Sequence, residues 1–359
     1  MRLNLLDMKL DPHYAPAVAA IVGIFGCLAG LLFDPKTMVA SYLAAWVAAS
    51  AVPIGALAVL MIAYLVRAGW TVDLHPLLSR TALTVPLFAV LFIPVLIGMS
   101  AIYPWAADAA HLSPFQSGYL SPWLFIVRTV IYFVILTVLA LWVTRAYGDD
   151  AAMKRAGSAG LIVWALVSSF AGVDWLESLE PQFHSSIYGL LKIAFDLLAG
   201  FGFAIVALML THRTRRMSNT AYAATFLSVL LLWAYLHAMQ YIIIWAGNIP
   251  DEIIWYLERL RNGWGVALWS LYIGQFFVPF FVLLSERARG STAVLLWLGV
   301  ATLALRFLEA IVLILPPLHP SAWALLDLPA AALLLIGVAM LAWRNAERWL
   351  PLTGAAAAR

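Results

Sequence analysis

The chain has 359 residues, of which 64% are hydrophobic and 11% charged, with a formal net charge of +3 and a mean hydropathy of +0.94. That balance excludes a soluble globular domain and leaves a single polytopic membrane domain. The one cysteine, Cys27, excludes an intrinsic iron–sulfur cluster and a c-type haem attached through CxxCH, both of which need more thiolates.

Apolar runs long enough to cross a bilayer recur from end to end, and they are too long for barrel strands, so an all-α fold is expected. The opening MRLNLLDMKLDPHYAP lacks the layout of a secretory signal, and the first run is read as a retained anchor. The spans fall at 16–33, 38–66, 81–105, 121–145, 157–177, 186–211, 219–246, 263–285, 291–315 and 321–344. The second is long and contains Pro53, which predicts one tilted or kinked helix rather than two crossings. NIPDEIIWYLERLRNGW, between spans seven and eight, predicts a short amphipathic helix with Ile253, Ile254, Trp255 and Leu257 turned to lipid or protein. Tyr103, Trp105, Trp123, Trp245, Trp264 and Trp343 read as an interfacial belt.

Basic residues alternate between the two faces. One face collects Arg2, Lys9, Arg67, Arg80, Arg145, Lys154, Arg155, Arg213, Arg215, Arg216, Arg287, Arg289, Arg344, Arg348 and Arg359; the other has Lys36, Arg259 and Arg261. Fifteen against three places both termini in the cytoplasm by the positive-inside rule. The same asymmetry explains the pI near 9.0 without a nucleic-acid partner. Reporter fusions at positions 182 and 214 are expected in opposite compartments; a shared compartment would contradict the span map.

Seven further charges lie inside the spans, all in the half nearer the outer face: Arg128, Asp174, Lys192, Asp196, Arg306, Glu309 and Asp327, with His237 and Gln240 at similar depth. Each such charge costs ~2.5–3.5 kcal/mol on insertion scales, so scattered placement would be penalised. Three cations against four acids predict mutual pairing around a shared polar cavity. Asp174, Lys192, Asp196, Arg128, Arg306 and Glu309 are the candidates for a proton path. Glu177, Glu180, His184, His237, Gln240 and Asp327 are the candidates for contacts with a polar ligand headgroup or at the mouth of the cavity. The competing reading of the same residues is a set of salt bridges that hold helices together. His237 is the one histidine well inside a span, which speaks against a bis-histidine haem; His13, His75, His111, His184, His212 and His319 fall in loops or at ends. No metal site is expected.

The segment DWLESLEPQFHSS resembles the DW-x-x-SL-x-P stretch of the alternative complex III membrane subunit, the quinol:cytochrome c oxidoreductase quinone-binding subunit 2. Further segments are similar to the same family in the same order. They are GALAVLMIAYLVRAGW with PLFAVLFIPVLIGMSAIYPWA, then YLSPWLFIVRTVIYF, then QYIIIWAGNIPDEIIWYLERLRNGW. The resemblance implies ten helices including two four-helix bundles, related to polysulfide-reductase-type membrane anchors. It also implies no redox metal on this chain, a quinone or quinol nearby, and partners that comprise a sister membrane subunit and periplasmic iron–sulfur and c-haem subunits. The chain departs from the pattern at Pro181, Gln182, Phe183 and His184, where the family reads P-H-W, and near Ala63 and Tyr64, where a histidine is expected.

Three functions follow from these features. One is a respiratory-complex subunit with a quinone-proximal or proton-conducting path open to the periplasm. A secondary transporter would show broken helices and inverted repeats, to which Pro53, Pro86, Pro94 and Pro279 are relevant. A structural anchor would show intramembrane charges that are all paired and dry.

Overall fold

The computed structural model describes residues 13–66, 71–108, 110, 112–210 and 216–349. Both chain ends, Arg2, Lys9, Arg67, Arg213, Arg215, Arg359, His111 and His212 lie outside them, as do the side chains of Arg216 and Arg348. Among the described residues, ten helices are long and apolar enough to cross a membrane: Ala15–Phe33, Pro35–Val66, Thr71–Ile97, Pro122–Arg145, Asp150–Leu179, Tyr188–Leu210, Asn219–Gly247, Trp264–Leu284, Thr292–Leu318 and Ala324–Ala346. They are numbered here as spans one to ten. The protein is an all-α, multi-pass membrane protein.

Spans two to five pack on one another, as do spans six to nine, and spans one and ten pair along one side. Spans two and six form the seam between the two four-helix groups. Span two is one continuous helix of 32 residues despite Pro53, buried along nearly its whole length. At 1.5 Å per residue it is longer than the hydrocarbon is thick, so one crossing is accommodated with length to spare. Its Ala-rich sequence lets neighbours approach closely on every side. The closest approach is to span six: a Cβ on Gly55 would strike the Asp196 carbonyl, and one on Gly200 would strike the Gly55 backbone. That crossing seats the turn carrying Asp196 directly against span two.

Span three departs most from expectation. It begins ten residues early, in the helix Thr71–Ala82, and then breaks into Val85–Val90, Ile93–Ile97 and Met99–Ile102. Pro86, Pro94 and Gly98 account for the breaks, since proline removes a ladder donor and glycine weakens a helix. Carbonyls near the breaks are taken up by span two: Trp46 Nε1 donates to Phe88 O at 3.1 Å and Tyr42 OH to Leu91 O at 2.7 Å. Span eight contains a π turn at Ile273–Phe277, just before Pro279. The missing proline N–H and the bulk of its ring are sufficient reason for the widened turn.

Two belt residues are core residues instead. Tyr103 and Trp105 are 0% and 2% exposed and donate to Trp175 O at 2.9 Å and Ser178 O at 3.0 Å, whereas Trp123 and Trp245 are exposed as expected. His75 is likewise buried rather than in a loop. It lies in the helix Thr71–Ala82, with Nε2 3.1 Å from Tyr64 OH and the ring stacked on Tyr147.

Candidate functional site

The 174–192 stretch joins spans five and six at the basic-poor face, and most of the candidate residues gather around it. Three ion pairs account for the three intramembrane cations. Arg128 grips Asp174 in a two-pronged contact of 2.8 and 3.0 Å, Tyr132 OH adds a third donor at 2.7 Å, and the guanidinium lies 3.9 Å over the Tyr119 ring. Lys192 Nζ sits 2.6 and 2.7 Å from the two Asp196 oxygens, one helical turn along the same face of span six. Arg306 Nη1 pairs with Glu309 Oε2 three residues on.

Glu309 is the hub of the last group. Its Oε1 lies 3.0 Å from His237 Nε2 and accepts from Trp233 Nε1 at 3.2 Å. Against a carboxylate oxygen, His237 Nε2 is the nitrogen that carries the hydrogen. Arg306 is 1% exposed and lies between the Phe195 and Trp233 rings, while its Nε and Nη2 face no protein acceptor. Buried donors left in this way are normally met by water.

A cavity opens where these groups meet. Lys192, His237, Gln240 and Glu309 contribute its polar wall from spans six, seven and nine, and Leu176, Phe195, Trp255 and Leu313 are part of its apolar wall. The empty space totals about 330 Å³ with its opening included. Its enclosed part admits roughly one water molecule, too little for a quinone ring without side-chain movement.

Arg259 is a residue whose role sequence reasoning missed, since it was read only as an outer-loop charge. It is 0% exposed. The amphipathic helix forms at Pro250–Leu260, with Trp255 and Arg259 turned inward and Ile254 and Leu257 outward, so the expected apolar face is split. Arg259 donates to Glu180 at 2.7 and 3.3 Å, to Trp255 O at 2.9 Å, to Val312 O at 3.0 Å and to Leu313 O at 2.7 Å. The last two carbonyls would ordinarily receive the N–H groups of residues 316 and 317, but both are prolines. The guanidinium replaces those two donors and holds Trp255 and Leu313 in the cavity wall. A Pro-Pro pair closing an apolar helix, with an arginine four residues after a tryptophan on an amphipathic helix, was the available signal.

The other candidates are positioned as follows. Glu177 accepts from Ser185 N at 2.7 Å, and Ser185 Oγ donates to Gln240 Oε1 at 3.2 Å, tying the turn to span seven. His184 is exposed and lies 3.1 Å from Gln116 Nε2, on the rim rather than in the cavity. Arg128 and Asp174 do not line the cavity: they satisfy each other between spans four and five, so one shared cavity for all intramembrane charges is not what forms. Asp327 is elsewhere again, packed against span one. Span eight contributes Gln275, unforeseen, from its π turn; it is 0% exposed, donates to Thr302 Oγ1 at 3.3 Å and leaves Oε1 without a partner. Among the described residues no group of three or more His, Cys, Asp or Glu could hold a metal ion. Neither a family model nor a curated protein matches the chain.

Proposed function

We propose that this chain is a membrane subunit of a respiratory quinol oxidoreductase in the bacterial inner membrane. Its basic-rich face and both termini are then cytoplasmic, and it supplies a proton path that opens at the periplasmic face. The observation that carries this reading is the cavity shared by Lys192, His237, Gln240 and Glu309. Each ionisable member has a counter-charge or hydrogen-bonding neighbour, as proton exchange requires. The space suits a water rather than a quinone headgroup, which favours proton transfer here and quinol binding on the sister subunit.

Two observations weigh against the alternatives. A dry structural anchor would leave no donors open, yet Arg306 Nε and Nη2 are unmet. Carbonyls at the breaks of a transporter's helices would line an ion or substrate site, yet those of span three that Trp46 and Tyr42 meet are occupied by protein donors. Arg128 and Asp174 fall to a holding role in this account. Native purification through a tag on this chain tests it: iron–sulfur and c-haem subunits should copurify, and isolated chain should lack their absorption. A chain recovered without redox partners, or with stoichiometric haem of its own, would contradict it.

A further inference from the structure

Three of the four intramembrane acids have a cation beside them, and among the described residues Asp327 has none. It occupies the first turn of the helix Ala324–Trp349 at the basic-poor end, is 2% exposed, and its Oδ2 has no hydrogen-bond partner. Oδ1 packs against Gly30 of span one, and Met38 Sδ of span two closes on the same glycine.

The charged and titratable groups on the elements around it offer no compensation. Span one contributes the buried thiol of Cys27, and span two contributes Tyr42, whose hydroxyl is already donated to Leu91 O. One turn beyond Gly30, Asp34 accepts from Ser321 Oγ at 2.6 Å, from Thr37 Oγ1 at 2.7 Å and from Thr37 N at 3.1 Å. The hydrogen bonds from Ser321 and then Thr37 hold the Asp34 carboxyl below its usual range, so it is an anion. Lys36, at the same turn, is exposed. An ionised Asp327 would therefore be a buried charge with another anion nearby. The dipole of its own helix favours the anion only weakly against that cost. With Gly30 packed against the carboxyl and Met38 closing on the same glycine, little room is left for a metal cation and its several oxygen ligands, whereas a proton needs none.

We propose that Asp327 is a proton-binding site, occupied at neutral pH and separate from the cavity of Lys192 and Glu309, whose deprotonation loosens span ten from spans one and two. The step is the simple ionisation of the carboxylic acid, with the proton leaving toward the Asp34–Ser321 rim. Infrared pH-difference spectra of the full chain in lipid nanodiscs test it. The carbonyl band of a protonated carboxyl should be present at neutral pH, be lost on alkaline titration, and be missing from Asp327→Asn. Asp34→Asn, which alters a half-buried rim position and removes the neighbouring anion, should shift that loss to lower pH. Asp327→Asn should melt like the wild type at neutral pH and lack the wild type's alkaline drop in melting temperature. Spectra of Asp327→Asn that match the wild type at every pH would overturn the proposal, as would a band removed by sodium at constant pH. Should Asp327→Asn fail to fold, an unshifted titration in Asp34→Asn would overturn it equally.

Discussion

Arg259→Met should be among the most damaging single substitutions in the molecule, lowering stability by at least ~3 kcal/mol. Removing one partner of a buried ion pair typically costs ~3–5 kcal/mol, because the other charge is left uncompensated. Glu180 would be that charge, and the carbonyls of Val312 and Leu313 would lose their donors at the same time. Arg259→Lys should rescue little: a point-like ammonium cannot span Glu180 and three carbonyls as the guanidinium fork does. Thermal melting of the purified variants reads the effect, and an Arg259→Met protein that melts with the wild type would contradict the capping role. Because Arg259 fixes Trp255 and Leu313, the same variant should also open the cavity wall.

Lys192→Met should come close behind. It leaves Asp196, 0% exposed, without its cation at the tightest helix crossing in the fold, and a loss of ~3–5 kcal/mol is expected. Neutralising both partners, as in Lys192→Met with Asp196→Asn, should restore most of that stability, since no lone charge remains. The comparison separates two roles that the geometry alone combines. If turnover and proton release recover along with folding, the pair is structural; if folding recovers and proton release does not, the pair takes part in transfer. A double variant no more stable than Lys192→Met would contradict the pairing itself.

Span number was legible because it rests on hydropathy, which a bilayer enforces strongly. The pairing was legible only as a balance. Three cations and four acids predicted neutralisation, and three pairs form, but which acid is left over depends on helix rotation. Asp327 looks like Asp174 in sequence and ends on the far side of the fold, against Gly30. Arg259 was missed for a different reason: outside a span, arginine is read as topology, and its buried role follows from prolines 57 and 58 residues later. Tyr103 and Trp105 were misassigned because aromatic residues near a span end serve lipid or core equally well, and only their hydrogen bonds to the 175–178 turn distinguish the two. The early start of span three was obscured by His75 and Arg80, polar residues that Tyr64 and Trp343 accommodate.

Proton release during quinol-driven reduction of the electron acceptor, followed in assembled complexes carrying Asp196→Asn or Glu309→Gln, bears most directly on the proton path. Both substitutions keep side-chain size and remove the exchangeable acid beside the cavity. The account predicts intact assembly with proton release to the periplasmic face lost or reduced at least tenfold, which corresponds to about 1.4 kcal/mol on the transfer barrier. Assembled complexes of both variants with wild-type turnover and wild-type proton yield would contradict it, and would leave the cavity residues as structural ion pairs.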